Sequence, residues 1–282
     1  MVVLNITEHQ ADYAEEPLKR PIPFIEVCTA GPRVVPLLIE ALNSFPARKL
    51  LIAQALALCG SKAGVPLLVE SLEKSLSGSR LPPLTKTILH AGIPPDQGAM
   101  PDSGYLLYTL GMTRDRRAIP IWRRVAELLK PTEEQFRSKT ESPFNYIDAV
   151  CFGAERLGDP AALPALEALH SHALLRDQTT RKGFQPDFLV ERRAMLELGI
   201  AKAKARCGGA SGYEILIDYL DDNRAALAEQ AHLNLVRLAG LDLGKTAASW
   251  KQWLKSSRDA LGPNPLTEDL DNVYEREILV SA

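Results

Sequence analysis

The chain has 282 residues, of which 46% are hydrophobic and 24% charged, and its formal net charge at pH 7 is -2. Proteins that coat nucleic acid or lie on anionic membranes carry a basic excess, so this balance argues against both kinds of partner. The sequence begins without a signal-peptide pattern and contains no apolar run long enough to span a bilayer, so we expect a soluble chain whose compartment is unknown.

Residues 1–29 show no sustained periodicity, and we expect an irregular segment with a partial helix there. From residue 31 onward a short motif recurs, in which a turn is followed five residues later by a proline that opens an apolar helix. The prolines of the first four copies are Pro36, Pro66, Pro120 and Pro164, and a fifth copy has Glu214 at this position. Self-similarity of this kind indicates a stacked helical repeat.

Each motif is followed by a pair of helical patterns. In the first copy, apolar residues between 34 and 42 share one side of a helix, residues 43–46 break it, and residues 47–60 form a second, almost wholly apolar helix. A helix that is apolar all round is typical of burial between neighbours. The sequence therefore predicts an all-α fold, an α-solenoid (superhelix) of about five helix pairs over residues 30–258.

The fourth copy of the motif carries clear signals for a helix start. Asp159 is a residue type that caps helices, and Pro160 suits the first helical position. Pro164 then removes one backbone hydrogen bond just beyond the first turn. We expect this helix to begin with a bent or tightened turn.

The copies are unevenly spaced, and the excess length marks three insertions. The proline positions, with Glu214 as the fifth, lie 30, 54, 44 and 50 residues apart. In each longer interval the extra residues fall between the two helices of a pair, at residues 75–103, 131–145 and 176–187. Insertions in the same topological position should emerge along one edge of the solenoid, where they often form a binding surface.

The insertions hold our candidate partner contacts. They combine charges of both signs with aromatic residues, which suits a protein surface better than a phosphate backbone. The open alternative is that long loops on a solenoid only add packing. The candidates share this charged or aromatic character and are Arg80, Lys86, His90, Phe136, Arg137, Phe144, Arg181, Lys182 and Phe184.

The C-terminal part reads as a cap followed by a tail. Residues 241–254 predict a last amphipathic helix whose tryptophans, Trp250 and Trp253, can cover the exposed end of the core. Residues 259–282 are proline-rich and acidic at first, and we expect an extended tail.

No arrangement of residues indicates catalysis, a cofactor or a metal. The sequence 240–246 resembles a phosphate-binding loop but has one residue too few between its glycines, and no GxGxxG, CxxC or His-Glu pattern occurs. The four cysteines lie in apolar surroundings, which predicts buried free thiols. Charged runs such as residues 191–193 are typical of solvated helix faces.

The motif at residues 158–166, Gly-Asp-Pro-Ala-Ala-Leu-Pro-Ala-Leu, resembles the HEAT-like repeats of the phycobilisome-lyase type. The segment from Tyr213 to Trp253 is similar to HEAT-like regions at the C-termini of larger bacterial proteins, some of them FAD-dependent oxidoreductases. That resemblance implies that any flavin would be held by an upstream domain, on which this chain would dock.

We therefore expect a non-catalytic protein-interaction or scaffold module that binds a protein partner or an adjoining domain of a longer chain. An accessory role in a larger oxidoreductase is the sharper form of this hypothesis. The alternative is an enzyme on the same fold, such as a bilin lyase, which is an analogy of fold alone.

Overall fold

The structure is a computed structural model that describes residues 30–83, 102–138, 143–181, 183 and 187–267. These residues contain α-helices and short 3-10 turns and no β-strand. The predicted all-α class is therefore confirmed. Within the same residues, no helix is both long and apolar enough to cross a bilayer.

Twelve α-helices occur in the described ranges. In chain order they are α1 Val35–Ser44, α2 Lys49–Leu58, α3 Val65–Ser75, α4 Asp102–Met112, α5 Ala118–Leu128, α6 Glu133–Arg137, α7 Phe144–Leu157, α8 Leu163–His170, α9 Phe188–Arg206, α10 Ala210–Tyr219, α11 Ala225–Ala239 and α12 Ala247–Ser257.

The helices pack in two sets. The first set follows the motif (α1, α3, α5, α8 and α10), and the second completes each pair (α2, α4, α7, α9 and α11). In the second set each helix contacts the next, from α2 through α4, α7 and α9 to α11. In the first set α3 contacts α5 and α5 contacts α8, and α12 packs on α10.

Small residues at the fourth position of the motif allow close packing between sets. A Cβ on Gly64 would lie 2.6 Å from the carbonyl oxygen of Ala53 in α2, and a Cβ on Gly212 would overlap the backbone of α9 at Ala201. The third and fourth copies have alanine here, and both Ala118 and Ala162 are buried. The first copy has Val34 here, but at Gly64 and Gly212 a larger residue would force the motif away from the helix against which it packs.

The same constraint operates between α4 and α7. A Cβ on Gly111 would lie 2.8 Å from the Cα of Gly153, and one on Gly153 would meet the ring of Trp122 at 2.5 Å. Trp122 is itself fully buried. These two glycines therefore allow α4 and α7 to approach closely under an aromatic ring from the first set.

The expected tightened start occurs in the fourth copy. The Asp159 carboxylate accepts a hydrogen bond from the Ala161 amide at 2.9 Å, and Pro160–Ala162 form a 3-10 turn before α8 begins at Leu163. Such a turn is tighter than an α-helix, so the proline at the second position of α8 costs little.

Several predicted boundaries shift by a few residues. The second helix of the first pair begins at Lys49, not residue 47, because Pro46–Arg48 form a 3-10 turn, and it ends at Leu58. The second insertion contains a short helix, α6, that was not predicted. Thr132 begins this helix with a capping box. Its hydroxyl accepts a hydrogen bond from the Gln135 amide, and the Gln135 side chain accepts one from the Thr132 amide.

The C-terminal cap is formed largely as predicted. Trp250 in α12 is fully buried and donates its indole N–H to the carbonyl of Gly244 at 2.7 Å. The ring of Trp253 packs between Trp250 and Tyr213, at centroid distances of 5.8 and 5.6 Å. The two tryptophans thus cover the core formed by α9 to α12.

The beginning of the C-terminal tail lies against the second set of helices. After a 3-10 turn at Arg258–Ala260, residues 261–267 are non-helical, as expected. The amide of Asn264 donates to the Arg206 carbonyl, and that of Leu266 to the Glu155 carbonyl, each at 2.8 Å. The remaining tail and residues 1–29 lie outside the described residues.

Leu38 and Leu37 are adjacent residues of α1 with opposite burial, 1% and 55% exposed. We expect Leu38→Ala to lower the free energy of unfolding by about 2–5 kcal/mol, because it removes buried methyl groups and leaves a cavity. Leu37→Ala should change it by less than about 0.5 kcal/mol. Urea titrations of both variants measure this, and equal losses would show that the register of the first pair is wrong.

Candidate protein-interaction site

The sequence-predicted contact residues divide into three groups. Arg80, Arg137 and Arg181 are exposed. Phe136 and Phe144 are buried and pack on each other at 4.9 Å, so in this conformation they anchor the second insertion to the core. The others lie outside the described residues: Lys86, His90, Lys182 and Phe184.

The first insertion is held by the helix pair that follows it. The hydroxyl of Tyr146, in the first turn of α7, donates to the carbonyl of Pro82 at 2.8 Å. From α5, the Arg124 guanidinium donates to the carbonyls of Leu76 and Gly78 at 3.1 and 2.8 Å. Residues 76–82 at the start of this insertion thus lie against α5 and α7.

The second insertion repeats this arrangement. Glu133 at the start of α6 forms an ion pair with Arg193 of α9, a helix of the next pair. Arg193 is 9% exposed. The expectation that residues 191–193 form a solvated charged face is therefore wrong for Arg193, because its guanidinium is needed to hold the insertion.

The third insertion is held by a buried carboxylate. Glu197 of α9 is 2% exposed and accepts hydrogen bonds from the backbone amides of Asp177 and Gln178 at 2.8 and 2.9 Å. It also pairs with His170 at 3.0 Å and accepts from the Tyr219 hydroxyl at 2.7 Å. Burial raises the pKa of Glu197, but these hydrogen bonds outweigh that effect and hold the pKa below its usual value.

A second carboxylate holds the far end of the same segment. Asp222, just before α11, accepts from the Thr180 amide at 2.9 Å and forms an ion pair with Arg224 at 2.7 Å. Arg224 also donates to the Gln178 carbonyl, and the Asn223 amide donates to the Thr180 carbonyl. Each insertion therefore contacts the pair that follows it, and the third is held in addition by Glu197 of its own pair.

A different part of the molecule presents unpaired functional groups. We define the central face by six residues on the second set of helices: Tyr108, Asp148, Phe152, Phe188, Arg192 and Met195. On α9, Phe188, Arg192 and Met195 are spaced four and three residues apart, so they lie on one side of the helix. Phe188 is 70% exposed and Met195 50%.

Arg192 is held by aromatic rings and by no acceptor. Its guanidinium carbon lies 4.3 Å from the ring centroid of Phe144 and 5.9 Å from that of Phe188. Among the described residues, Arg192 has no hydrogen-bond or ion-pair partner. Stacking occupies the flat faces of a guanidinium and leaves its N–H edges available.

Asp148 lies one turn after Phe144 on α7 and is also unpaired within the described residues. Burial raises its pKa to about 6, although the positive charges of Arg192 and Lys202 oppose the shift. Burial, together with the nearby Asp148 charge, also raises the pKa of Tyr108 well above its usual value. A partly buried carboxylate without a partner costs stability, which makes this position a functional candidate.

Two turns further along α7 the charges are paired. Glu155 is buried and forms ion pairs with Lys202 at 2.9 Å and Arg156 at 3.4 Å. The Arg156 guanidinium carbon lies 3.5 Å from the ring centroid of Phe152. Phe152 also packs edge-to-face with Tyr108, at a centroid distance of 5.2 Å. The central face is thus continuous with a rigid, charge-paired region.

The described residues offer little for a metal or small cofactor. Within them, no group of three or more His, Cys, Asp or Glu side chains is arranged to hold a metal ion. The cysteines in these ranges, Cys59, Cys151 and Cys207, are buried free thiols, as predicted. A cavity of about 240 Å³ beside the third insertion includes Arg224, but Asp222 and a backbone carbonyl engage that guanidinium.

Sequence reasoning missed Arg192 and Asp148. Arg192 stood within a charged run that predicted only a solvated face, and Asp148 stood within an otherwise apolar helix. The spacing of Phe188, Arg192 and Met195, four and three residues apart, could have predicted that they share one side of a helix. In the structure Phe188 and Met195 are exposed, and the buried Glu197 lies on the other side of α9.

Glu197→Gln should lower the free energy of unfolding by about 2–4 kcal/mol at pH 7, because an amide cannot accept all four hydrogen bonds. Since its folded pKa is depressed, the carboxylate stabilises the fold above about pH 4.3. That stability is lost as the pH falls through the folded pKa, so the difference between the proteins should vanish in acid. Urea titrations of wild type and variant, at pH 7 and in acid below the folded pKa, measure this difference.

The matched control is Glu214→Gln, which breaks an exposed ion pair with Arg258 and should cost less than about 1 kcal/mol. Trypsin should also cleave Glu197→Gln faster at Arg176 and Arg181, because the backbone between them is released. Unchanged cleavage would contradict the assigned role of Glu197.

Asp148→Asn should stabilise the protein. A raised folded pKa means that Asp148 favours the fold only below its unfolded pKa of about 4 and opposes it increasingly as the pH rises through about 6. The variant should therefore gain about 2 kcal/mol at pH 7.5 and almost nothing at pH 4. Thermal and urea unfolding at the two pH values test this; destabilisation at pH 7.5 would contradict it.

No protein-family model, curated protein or solved structure matches this chain.

Proposed function

We propose that this chain is a non-catalytic protein-interaction module, built as an α-solenoid of about five HEAT-like helix pairs with three insertions on one edge. The recurring motif and the helix-to-helix contacts within each set support the solenoid. The observation that carries the function is the stripe of exposed Phe188 and Met195 on either side of Arg192, which has no hydrogen-bond or ion-pair partner among the described residues.

The stripe has the chemistry of an interface centre. Aromatic residues, methionine and arginine are enriched where proteins bind, and a few such residues supply most of the binding energy. The opposite side of α9 is fixed by Arg193 and Glu197, which bind the second and third insertions. A contact surface on a rigid helix loses little conformational entropy when a partner docks.

The insertions have a supporting role in this proposal. Their backbones hold neighbouring pairs together, and their exposed arginines, Arg80, Arg137 and Arg181, remain candidate contacts for a partner. The partner is a separate protein or the adjoining domain of a longer chain. The resemblance to C-terminal regions of FAD-dependent oxidoreductases supplies a concrete form of the second case, with any flavin held by the other domain.

A second candidate function, an enzyme such as a bilin lyase on the same fold, is favoured by one observation. Asp148 is partly buried and unpaired beside Tyr108, with a pKa of about 6 that suits a general acid or base. Incubation with bilin and an apo-phycobiliprotein, scored by covalent chromophore attachment, tests it. Attachment by the wild type that is lost in Asp148→Asn would favour the enzyme over the interaction module.

The interaction module predicts that protein capture depends on the central face. We expect immobilised wild-type chain to retain a reproducible set of proteins from its native cell extract. The double variant Phe188→Ser/Met195→Ser should lose most of that set, because it removes both exposed apolar side chains while leaving the buried side of α9 intact. Quantitative mass spectrometry of the two captures measures the difference.

The matched control is Leu37→Ser/Ile39→Ser, which removes two exposed apolar residues of α1 in the first set of helices. It should retain the proteins that the central-face variant loses. Identical captures by wild type and both variants would overturn the proposed function.

A further inference from the structure

We propose that the central face binds an acidic amphipathic helix, whose carboxylate pairs with Arg192 while its apolar side chains contact Phe188 and Met195. This inference rests on the proposed function and names the chemistry of the partner. It follows from the unpaired guanidinium, the apolar residues on either side of it and the charges around it.

The Arg192 guanidinium is oriented for a carboxylate before any partner arrives. Its guanidinium carbon lies over the ring of Phe144 at 4.3 Å and over that of Phe188 at 5.9 Å. The N–H groups lie in the guanidinium plane, and a carboxylate can accept two of them in parallel. Phe144 is buried, so the arginine is fixed from the protein side, whereas exposed Phe188 can contact a partner as well.

The spacing of the apolar residues fits a helix of two to three turns. Phe188 and Met195 are seven residues apart, which places them about 10 Å apart along α9. Arg192 lies between them. A partner helix with apolar residues at the same spacing and an acidic residue between them would satisfy all three contacts.

The surrounding charges favour an acidic partner over a basic one. Lys202 is already paired with Glu155. On α11, exposed Leu233 and Arg237 are one turn apart and extend the apolar and positive pattern. Arg237 has no partner in the described part of the chain. Glu191 lies one turn from both Phe188 and Met195, and its charge acts on Arg224 of the neighbouring cavity.

Asp148 is a carboxylate whose charge interacts with Arg192, and it makes the interaction dependent on pH. The positive charges of Arg192 and Lys202 on α9 lower the pKa of Asp148, and its own charge raises the pKa of Tyr108 on α4 and of Cys151 on α7. Glu155 on α7, which also raises the pKa of Cys151, is paired with Lys202. When Asp148 is ionised, it competes with the partner for the positive charge of Arg192. Its protonation near pH 6 removes this competition, while the carboxylates of a solvated partner remain ionised.

The experiment uses three synthetic 18-residue helical peptides. All three have leucines seven residues apart, and they differ only in the residue placed between the leucines, which is Glu, Gln or Lys. Binding to the full chain is measured by fluorescence anisotropy. We expect the Glu peptide to bind about tenfold more tightly than the Gln peptide, the difference typical of a charge-assisted pair, and the Lys peptide to bind weakest.

Protein variants test the assigned contacts. Arg192→Gln should abolish the preference for Glu over Gln, and Arg192→Lys should weaken it because an ammonium cannot form the two parallel hydrogen bonds. Asp148→Asn should tighten binding of the Glu peptide at pH 7.5 to the level that wild type reaches at pH 5.5. Arg123→Gln, an exposed arginine of the first set, is the matched control and should change nothing.

The outcomes separate this inference from the proposed function. Equal affinity for the Glu and Gln peptides, with binding still lost in Phe188→Ser, would overturn the acidic partner and leave the interaction module standing. Absence of binding by all three peptides at millimolar concentration would also overturn it. Only the capture experiment with the central-face double variant decides the proposed function itself.

Discussion

Glu197 is the buried charge around which the later helix pairs are arranged. Its two oxygens receive groups from α8, from the third insertion and from α10, while its backbone belongs to α9. A buried carboxylate is tolerated only when its hydrogen-bonding capacity is filled, so each of these elements must be in place for the others to be stable. The orientation of α9, and with it the position of Phe188, Arg192 and Met195, follows from this network.

Asp222 and Asp148 are both shielded from solvent, but their pKa values are shifted in opposite directions. Asp222 is surrounded by donors, and its pKa is held below the usual value by Arg224 and backbone amides despite the opposing effect of burial. Asp148 has no such donors within the described residues, and its pKa is raised. Polar residues that a fold satisfies internally are explained by stability. A carboxylate that the described residues leave unsatisfied is instead a candidate for a functional role.

The sequence predicted those features that depend on local pattern. The motif predicted the helices that begin near its four prolines, because turn residues, prolines and helical periodicity act over a few positions. It did not predict that Arg193 would reach Glu133, which is 60 residues earlier in the chain. Nor did it separate Glu197 from solvated glutamates. Such contacts depend on which insertion lies over which helix, and a spacing argument carries no information about that.

The residues after α12 give the C-terminal end an effect beyond its own helix. Repeats that contact only their neighbours can unfold from the ends inward, one unit at a time. Here the amide of Leu266 bonds to Glu155, 111 positions back, and Asn264 bonds to Arg206. Fraying of the last pair therefore also breaks contacts in the middle of the chain. This long-range closure raises the entropic cost of folding. It also makes loss of structure more nearly all-or-none, because the C-terminal end cannot unfold without breaking its contacts with α7 and α9.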